Sequence, residues 1–407
     1  MFKKLPVKLI VILFCIAFHS LNTQAGVFKP KPGSKVLANS IISAISQEDS
    51  VIIEGCQISQ PFLVEGSFGR PHTIKSFIDI YNSIFSDSVS LRYCYFANTV
   101  RLRDVTFSKK FNLSENFFRE EISFVKIIFN EASSFDSSTF NRVATFENNI
   151  FNDQTSFSKA TFRERVYFTG TTFNYYTEFD KAYFYGSISF LGVDFNGLTS
   201  FHKTVFTDIV ILEAKQFQNI SITWKQLENY LWLPHLDYFR LMKIFEEKRQ
   251  LNDADEVYLC AKNLERMKQP WYIRYSEYWL FQVPFGYGVK PFNTLCLSIC
   301  IVFFFAFCFS KPNALKEIEK QFRHEEQQGL FQVVPSNFSK RFYNALYFSI
   351  HTFIIGIVSN WYPSDEFLIN TRRIKLFKFR TLSMIEGVLG WILLAVFIVI
   401  LTRKFIR

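Results

Sequence analysis

Large apolar residues recur along residues 74–217 on a slow, regular beat. In the stretch FDSSTFNRVATFENNIFNDQTSFSKATF (135–162), Phe stands at 135, 140, 146, 151, 157 and 162, so the gaps alternate five and six. A helix would place apolar residues three and four apart, and a strand two apart. The beat starts at Ile74 and runs through Ile80, Phe85, Leu91, Phe96, Leu102, Phe107, Leu113, Phe118, Phe124 and Phe129. It continues to Phe168, Phe173, Phe179, Phe184, Phe190, Phe195, Phe201, Phe206, Leu212 and Phe217. Those 143 residues are thirteen units of eleven with no break in phase. Fixed-period self-similarity of this kind marks a solenoid, in which each unit buries its apolar face only by stacking on its neighbours.

A second column lies two residues ahead of the first. It holds small or β-branched residues, among them Ser138, Ala144, Thr155, Ala160, Val166, Thr171, Thr177, Ala182, Val193, Thr199 and Thr204. One large and one small inward side chain per side would fill a narrow square tube. The pairing fails at Asn116, Asn149 and Lys215. This two-column pattern resembles the pentapeptide-repeat proteins, and the resemblance implies an all-β, right-handed, four-sided (quadrilateral) β-helix. Two units then make a coil of 22 residues, about 6.5 coils in all, forming a rod about 31 Å long at the usual strand spacing. The sixth residue of every second side is expected to lengthen a corner. Each inward Phe contributes about 2 kcal/mol of burial.

The flanks predict caps for the open ends of such a rod. KVLANSIISAIS reads as a short amphipathic helix and VIIEGCQI as a strand. Downstream, Leu227, Leu231, Phe239, Met242 and Phe245 mark one helix, and Val257, Cys260 and Leu264 another, with Asn252 and Asp253 as the turn and N-cap. The expected organisation is a signal peptide over 1–25, an N-terminal cap over 26–73, the β-helix over 74–220, a helical hairpin serving as cap and linker over 221–285, and a membrane module over 286–407.

The signal expectation rests on Lys3, Lys4 and Lys8, the apolar run from Leu9 to Phe18, and Thr23-Gln24-Ala25 before Gly26. An uncleaved anchor helix is the alternative. Either would export the β-helix. The formal charge is +10, but residues 74–217 hold 15 Lys/Arg against 16 Asp/Glu, whereas residues 291–407 hold 14 against 7. The basic excess therefore accompanies the apolar runs, which fits a lipid partner and the positive-inside rule better than nucleic acid. A near-neutral rod also argues against the mimicry of DNA known among soluble pentapeptide-repeat proteins. Of seven cysteines, only Cys56, Cys94 and Cys260 lie outside the signal and the apolar runs. No CxxC, paired His, nucleophile elbow or phosphate loop occurs, so no metal, cofactor or enzyme is expected. A Cys56–Cys94 disulfide is conceivable.

Residues 292–310 form an uncharged run long enough to span a bilayer. A second run over 382–402 is interrupted only by Glu386, and between them residues 342–360 make an apolar half-span. The order, with GYGVKP (286–291), ALYFSIHTF (345–353) and MIEGVLGWILLAVFIVILTRKFIR (384–407), resembles the two-transmembrane potassium-channel pore module, in the form that bacteria attach behind pentapeptide repeats. The resemblance implies a homo-oligomer, a tetramer in that family, in the bacterial inner membrane, with monovalent cations as cargo. The sequence departs at the selectivity filter. Where the family carries Thr-x-Gly-Tyr-Gly after the pore-helix Thr352, this chain has Ile355, Gly356, Ile357, Val358 and Ser359. Gly reaches positive φ and aims successive carbonyls inward, whereas Ile357 resists that conformation. A potassium filter is therefore excluded, and the pore either conducts with another selectivity or is closed scaffold.

Glu386 has two readings, a pore-lining or gating group or an interfacial carboxylate near Lys378 and Arg380. Gly390 is read as a gating hinge or a close-packing residue, and His351 as a packed pore-helix residue or a gate. Topology leaves alternatives as well. A half-span entering from one side, or a third full crossing that satisfies both the signal and the basic C-terminus, fit the sequence. Two function classes follow: an oligomeric ion-channel-like pore, or a non-conducting, membrane-anchored scaffold whose β-helix binds an unidentified protein.

Overall fold

The structure, a computed structural model, describes residues 26–214, 219–317, 337–356, 361–370 and 375–406. The expected signal (1–25), and Lys215 and Phe217 at the end of the beat, lie outside the described residues. The chain divides into two compact units, residues 1–257 and 258–407.

The first unit is a β-solenoid. Parallel strands stack into four sheets of ten, eight, eight and seven strands, one sheet per side, between Val27 and Trp232. Successive strands pair 22 residues apart, as in Phe107↔Phe129 and Phe129↔Phe151. The coil therefore begins well before residue 74: Val51, Ile53, Ile58, Phe62 and Val64 are buried in the same register. Phase is lost there because Val51 pairs with Ile78 and Phe62 with Val89, both 27 apart. Five extra residues sit in the loop that the Ser67–Arg70 bridge closes.

The two gap lengths correspond to two kinds of corner. Every five-residue side turns through a left-handed residue two positions after the large apolar one, as at Glu115, Ser137, Lys159, Lys181 and Lys203 (φ 56° to 61°). Six-residue sides turn without one and use the additional residue instead. Inside, the Phe rings stack in columns 22 residues apart. Phe135–Phe157 and Phe129–Phe151 lie 4.6 Å and 4.5 Å apart and are almost parallel. Rings from adjacent sides meet edge to face, as do Phe146 and Phe157 at 5.4 Å and 82°. Both are favoured aromatic geometries. Phe111 takes a small-residue slot beside Leu113, and its ring packs against Phe107 and Phe129 instead.

The asparagines that interrupt the small column are inward and buried. Asn116 Oδ1 accepts the Cys94 N–H at 2.8 Å, and its Nδ2 donates to the Leu91 carbonyl at 2.7 Å. Asn149 does the same with Ile127 and Phe124. Where the next coil supplies Ala or Val instead, the corner N–H turns back to its own coil, as Ser138 does to Phe135 and Ala160 to Phe157. The polar residues thus bridge the same two corner groups that pair directly with each other beneath an Ala or Val, so the corner is satisfied either way. Outside, Asn130, Asn152, Asn174 and Asn196 form a hydrogen-bonded ladder.

Both ends are capped. Helix α1 (Ala38–Ser46) buries Ala38, Ile41, Ala44 and Ile45. At the far end, α2 (Trp224–Leu227) carries a Thr223/Gln226 capping box, and Gln226 Nε2 donates to the Phe201 and Thr204 carbonyls. Leu231–Trp232 extends the ten-stranded sheet rather than a helix. The hairpin is α3 (His235–Glu247) and α4 (Leu251–Met267). Its turn falls at Lys248–Gln250, so Asn252 and Asp253 lie inside the first turn of α4. Lys248 Nζ and Gln250 Nε2 donate to the carbonyls of Ile220 and Ile222 at the open edge. Cys56 and Cys94 are both buried, free thiols.

Candidate functional site

The second unit holds two helices long and apolar enough to cross a membrane, α7 (Pro291–Phe309) and the first part of α9 (Phe379–Ile406), up to Arg403. Between them in sequence lies α8 (Phe338–Ile355). A β-solenoid followed by two such helices suggests a membrane-associated protein. Before α7 the chain forms α5 (Trp271–Glu277), a π-turn (Tyr278–Gln282) and α6 (Val283–Phe285).

The ends of the helices fix their directions. Phe309, at the end of α7, meets Phe379 at the start of α9 at 6.2 Å. At the opposite end of α9, the Arg403 guanidinium lies 5.1 Å from the Tyr258 ring centroid, and it also approaches Gly288, three residues before α7. Hence α7 and α9 are antiparallel. Helix α8 starts at the 309/379 end. Ala345 and Phe348 belong to one buried cluster with Phe305, Phe309, Ala314, Leu315, Phe379 and Leu382. One turn on, Ser349 reaches Val302 and Glu386, and a further turn brings Phe353 against Gly390. The chain then returns: Trp361 packs on the same cluster, and Trp361–Pro363 pairs antiparallel with Leu315–Glu317. A hairpin of Phe367–Asn370 with Lys375–Lys378 leads into α9. So α8 is entered and left at one end of the bundle. From Ala345 to Ile355 it covers about 16 Å, about half the thickness of a hydrocarbon core.

Of the filter-equivalent residues, Thr352 is buried, and its carbonyl accepts the Gly356 N–H at 3.2 Å. Ile355 is exposed. Gly356 ends the helix at φ 90°, ψ −131°, a conformation that requires glycine. Ile357, Val358 and Ser359 lie outside the described residues.

Glu386 is fully buried. The Ser349 hydroxyl lies within hydrogen-bond reach of Glu386 Oε1 and, at 2.9 Å, of the Val302 carbonyl; its one proton serves either acceptor, and the group sits where all three helices meet. Glu386 Oε2 is buried without a partner, and among the described residues no ion pair joins Glu386 to Lys378 or Arg380. The carboxyl is inside the bundle, not at its interface. Gly390 is a packing residue: a Cβ there would stand 2.1 Å from the Phe353 carbonyl oxygen, and α9 runs through it without interruption. His351 packs against Tyr347 with ring centroids 4.4 Å apart and the planes tilted by 50°, and its Nδ1 is buried without a partner. Between the three helices is a groove of about 370 Å³, open on one side, with an apolar lining that includes Val302, Phe353 and Leu393.

Sequence reasoning placed Glu386, Gly390, His351 and Thr352 in this module, and the structure brings Glu386, Gly390 and Thr352 together at the contact of α8 with α9. It missed Ser349, one of three hydroxyl-bearing residues in ALYFSIHTF (345–353), with nothing in the sequence to single it out. No family model, curated protein or solved structure matches the chain.

Proposed function

We propose that this protein is an oligomeric membrane pore that passes small cations without selecting potassium, with the β-solenoid as its extracytoplasmic domain. The observation that carries the reading is α8, which enters between two antiparallel apolar helices at one end, stops about halfway along them, and leaves at the same end. Non-helical backbone at membrane depth is tolerated only where it is buried in protein or lines a water-filled path. The groove between the helices of one chain is open on one side and apolar, so a conducting path would be lined where copies meet, four of them if the potassium-channel resemblance holds. Glu386 then acts from behind α8, setting its position through Ser349, while Ile357 and Ser359 deny the path the glycines of a potassium filter. The charged signal-like N-terminus supports export of the solenoid into the space outside a bacterial inner membrane. With two crossings, the C-terminus shares that side.

The same apolar groove and enclosed Glu386 favour a second reading, a non-conducting, membrane-anchored scaffold whose solenoid binds a protein. Ion flux through the purified protein in lipid vesicles separates the two. Flux that distinguishes little between potassium and sodium, and that changes in Glu386→Gln, supports the pore. Zero flux under all conditions supports the scaffold. A strong potassium preference would overturn the filter argument.

A further inference from the structure

We infer that residues 271–285 form an in-plane helix that docks on the lipid headgroup–acyl boundary. The segment is helical throughout, from α5 through the π-turn to α6. One side is held by protein. The Arg266 guanidinium of α4 lies 5.1 Å from the Tyr278 ring centroid. The opposite side is composed the wrong way round for water. Trp271, Trp279 and Leu280 are 69%, 65% and 61% exposed, and Tyr272, Tyr275 and Phe281 are each more than half exposed. A solvent-facing helix face is normally polar, and an apolar patch of this size marks an interaction site.

Three observations identify the occupant as lipid. The face is rich in Trp and Tyr, whose apolar rings and polar tips suit the interface, and Lys268, Arg274 and Lys290 flank it. It is also continuous with the proposed span: only residues 286–290 separate it from α7, a reach of at most about 17 Å. The third is the connecting elbow. Gly286, Tyr287 and Gly288 are consecutively left-handed (φ 51°, 52° and 82°), so the helix cannot run on into α7. Tyr287 has no glycine's freedom there. Burial of its phenol beside Glu277 and Arg266 holds it in place. Across the elbow, Asn293 Nδ2 and Thr294 Oγ1 donate to the Val283 and Pro284 carbonyls at 3.0 and 3.2 Å, closing the end of the segment onto the start of α7. A capped, sharp turn of this kind converts a helix lying along the surface into one that crosses it.

The inference rests on α7 crossing the membrane, and the test separates the two. Full-length protein with Cys15, Cys260, Cys296 and Cys300 replaced by Ala, the buried Cys56, Cys94 and Cys308 being left in place, receives one accessible cysteine by Tyr272→Cys, Tyr275→Cys, Trp279→Cys or Leu280→Cys. Each is labelled with a fluorophore in phosphatidylcholine vesicles and exposed to aqueous iodide, to lipids bearing a nitroxide near the headgroup, or to lipids bearing one near the chain end. Native Cys300, retained alone among these, reports on α7, and Tyr175→Cys on the water-facing solenoid. The expected result is strongest quenching by the shallow nitroxide at all four segment positions, by the deep nitroxide at Cys300, and by iodide alone at position 175. Iodide quenching at the four positions, or protection from every quencher, would overturn the inference while Cys300 still reports a span. Failure of lipid quenching at Cys300 would remove the span and this inference together.

Discussion

The stacked Phe columns predict a severe and position-specific cost for Phe157. Its side chain is fully buried, stacks on Phe135 at 4.6 Å and on Phe179 at 5.1 Å, and meets Phe146 and Phe168 edge to face at 5.4 and 5.3 Å. Phe157→Ala removes one ring from a close-packed column and leaves a cavity that the flanking coils cannot close without breaking their ladders. Phe to Ala in such settings costs about 3–5 kcal/mol. For a unit of this size that corresponds to a drop in melting temperature on the order of 10 °C. Phe157→Asp adds a buried carboxylate with no partner and should prevent the central coils from forming. Asn152→Asp is the control one side earlier, because Asn152 faces outward. Its only loss is the Nδ2 bond to Asn130 Oδ1 at 3.2 Å, since an aspartate still accepts from Asn174. That should cost at most about 1 kcal/mol. Melts of the full chain in detergent, followed by circular dichroism at the strand minimum, measure all three. Equal losses at 152 and 157 would refute the inward register and the ring-stacking account with it.

Asn116→Ala removes the side chain that bridges the Cys94 N–H and the Leu91 carbonyl. Those two groups then pair with each other, as Ser138 does with Phe135 beneath Ala160, so the cost should be about 1 kcal/mol. Asn196→Ala on the outer ladder should cost less; the same melts compare them. Gly390→Ala drives a methyl into the Phe353 carbonyl oxygen, so α8 and α9 must separate. The expected readout is loss of the folded membrane module by limited proteolysis, with the solenoid intact. Tyr287 supplies a pH test. Burial first, then the Glu277 carboxylate, pushes its phenol up to about 12. The unfolded chain ionises that group near its ordinary value of 10, so the stability it contributes is complete below about pH 10 and lost as pH rises towards 12. Tyr287→Phe should flatten that part of the stability profile.

The solenoid was legible because one physical requirement, a large ring per side, repeats at a period that no helix or strand shares. Its first coils were not. There Val51, Ile53 and Val64 fill the slots with residues common to any core, and five extra residues before His72 break the phase. The asparagines read as errors in the pattern because a one-dimensional column does not show the corner N–H and carbonyl that an inward amide bridges. In the membrane module, hydropathy located the helices to within a few residues. It could not tell that Glu386 faces Ser349 rather than Lys378 or Arg380, because that depends on how α9 is rotated. Nor could it separate hinge from contact at Gly390, where the deciding fact is the position of the Phe353 carbonyl.

The central claim is that α8 enters and leaves the membrane on one face. In protein with Cys15, Cys260, Cys296 and Cys300 replaced by Ala, cysteines introduced by Ser339→Cys and Asp365→Cys flank the half-penetrating helix, and Lys290→Cys and Thr402→Cys mark the other end of the bundle. Labelling with a membrane-impermeant maleimide in sealed, uniformly oriented vesicles assigns each to a face. The account predicts that positions 339 and 365 label together from one face, and 290 and 402 together from the other. Labelling of 339 and 365 from opposite faces would make α8 a full crossing and contradict it.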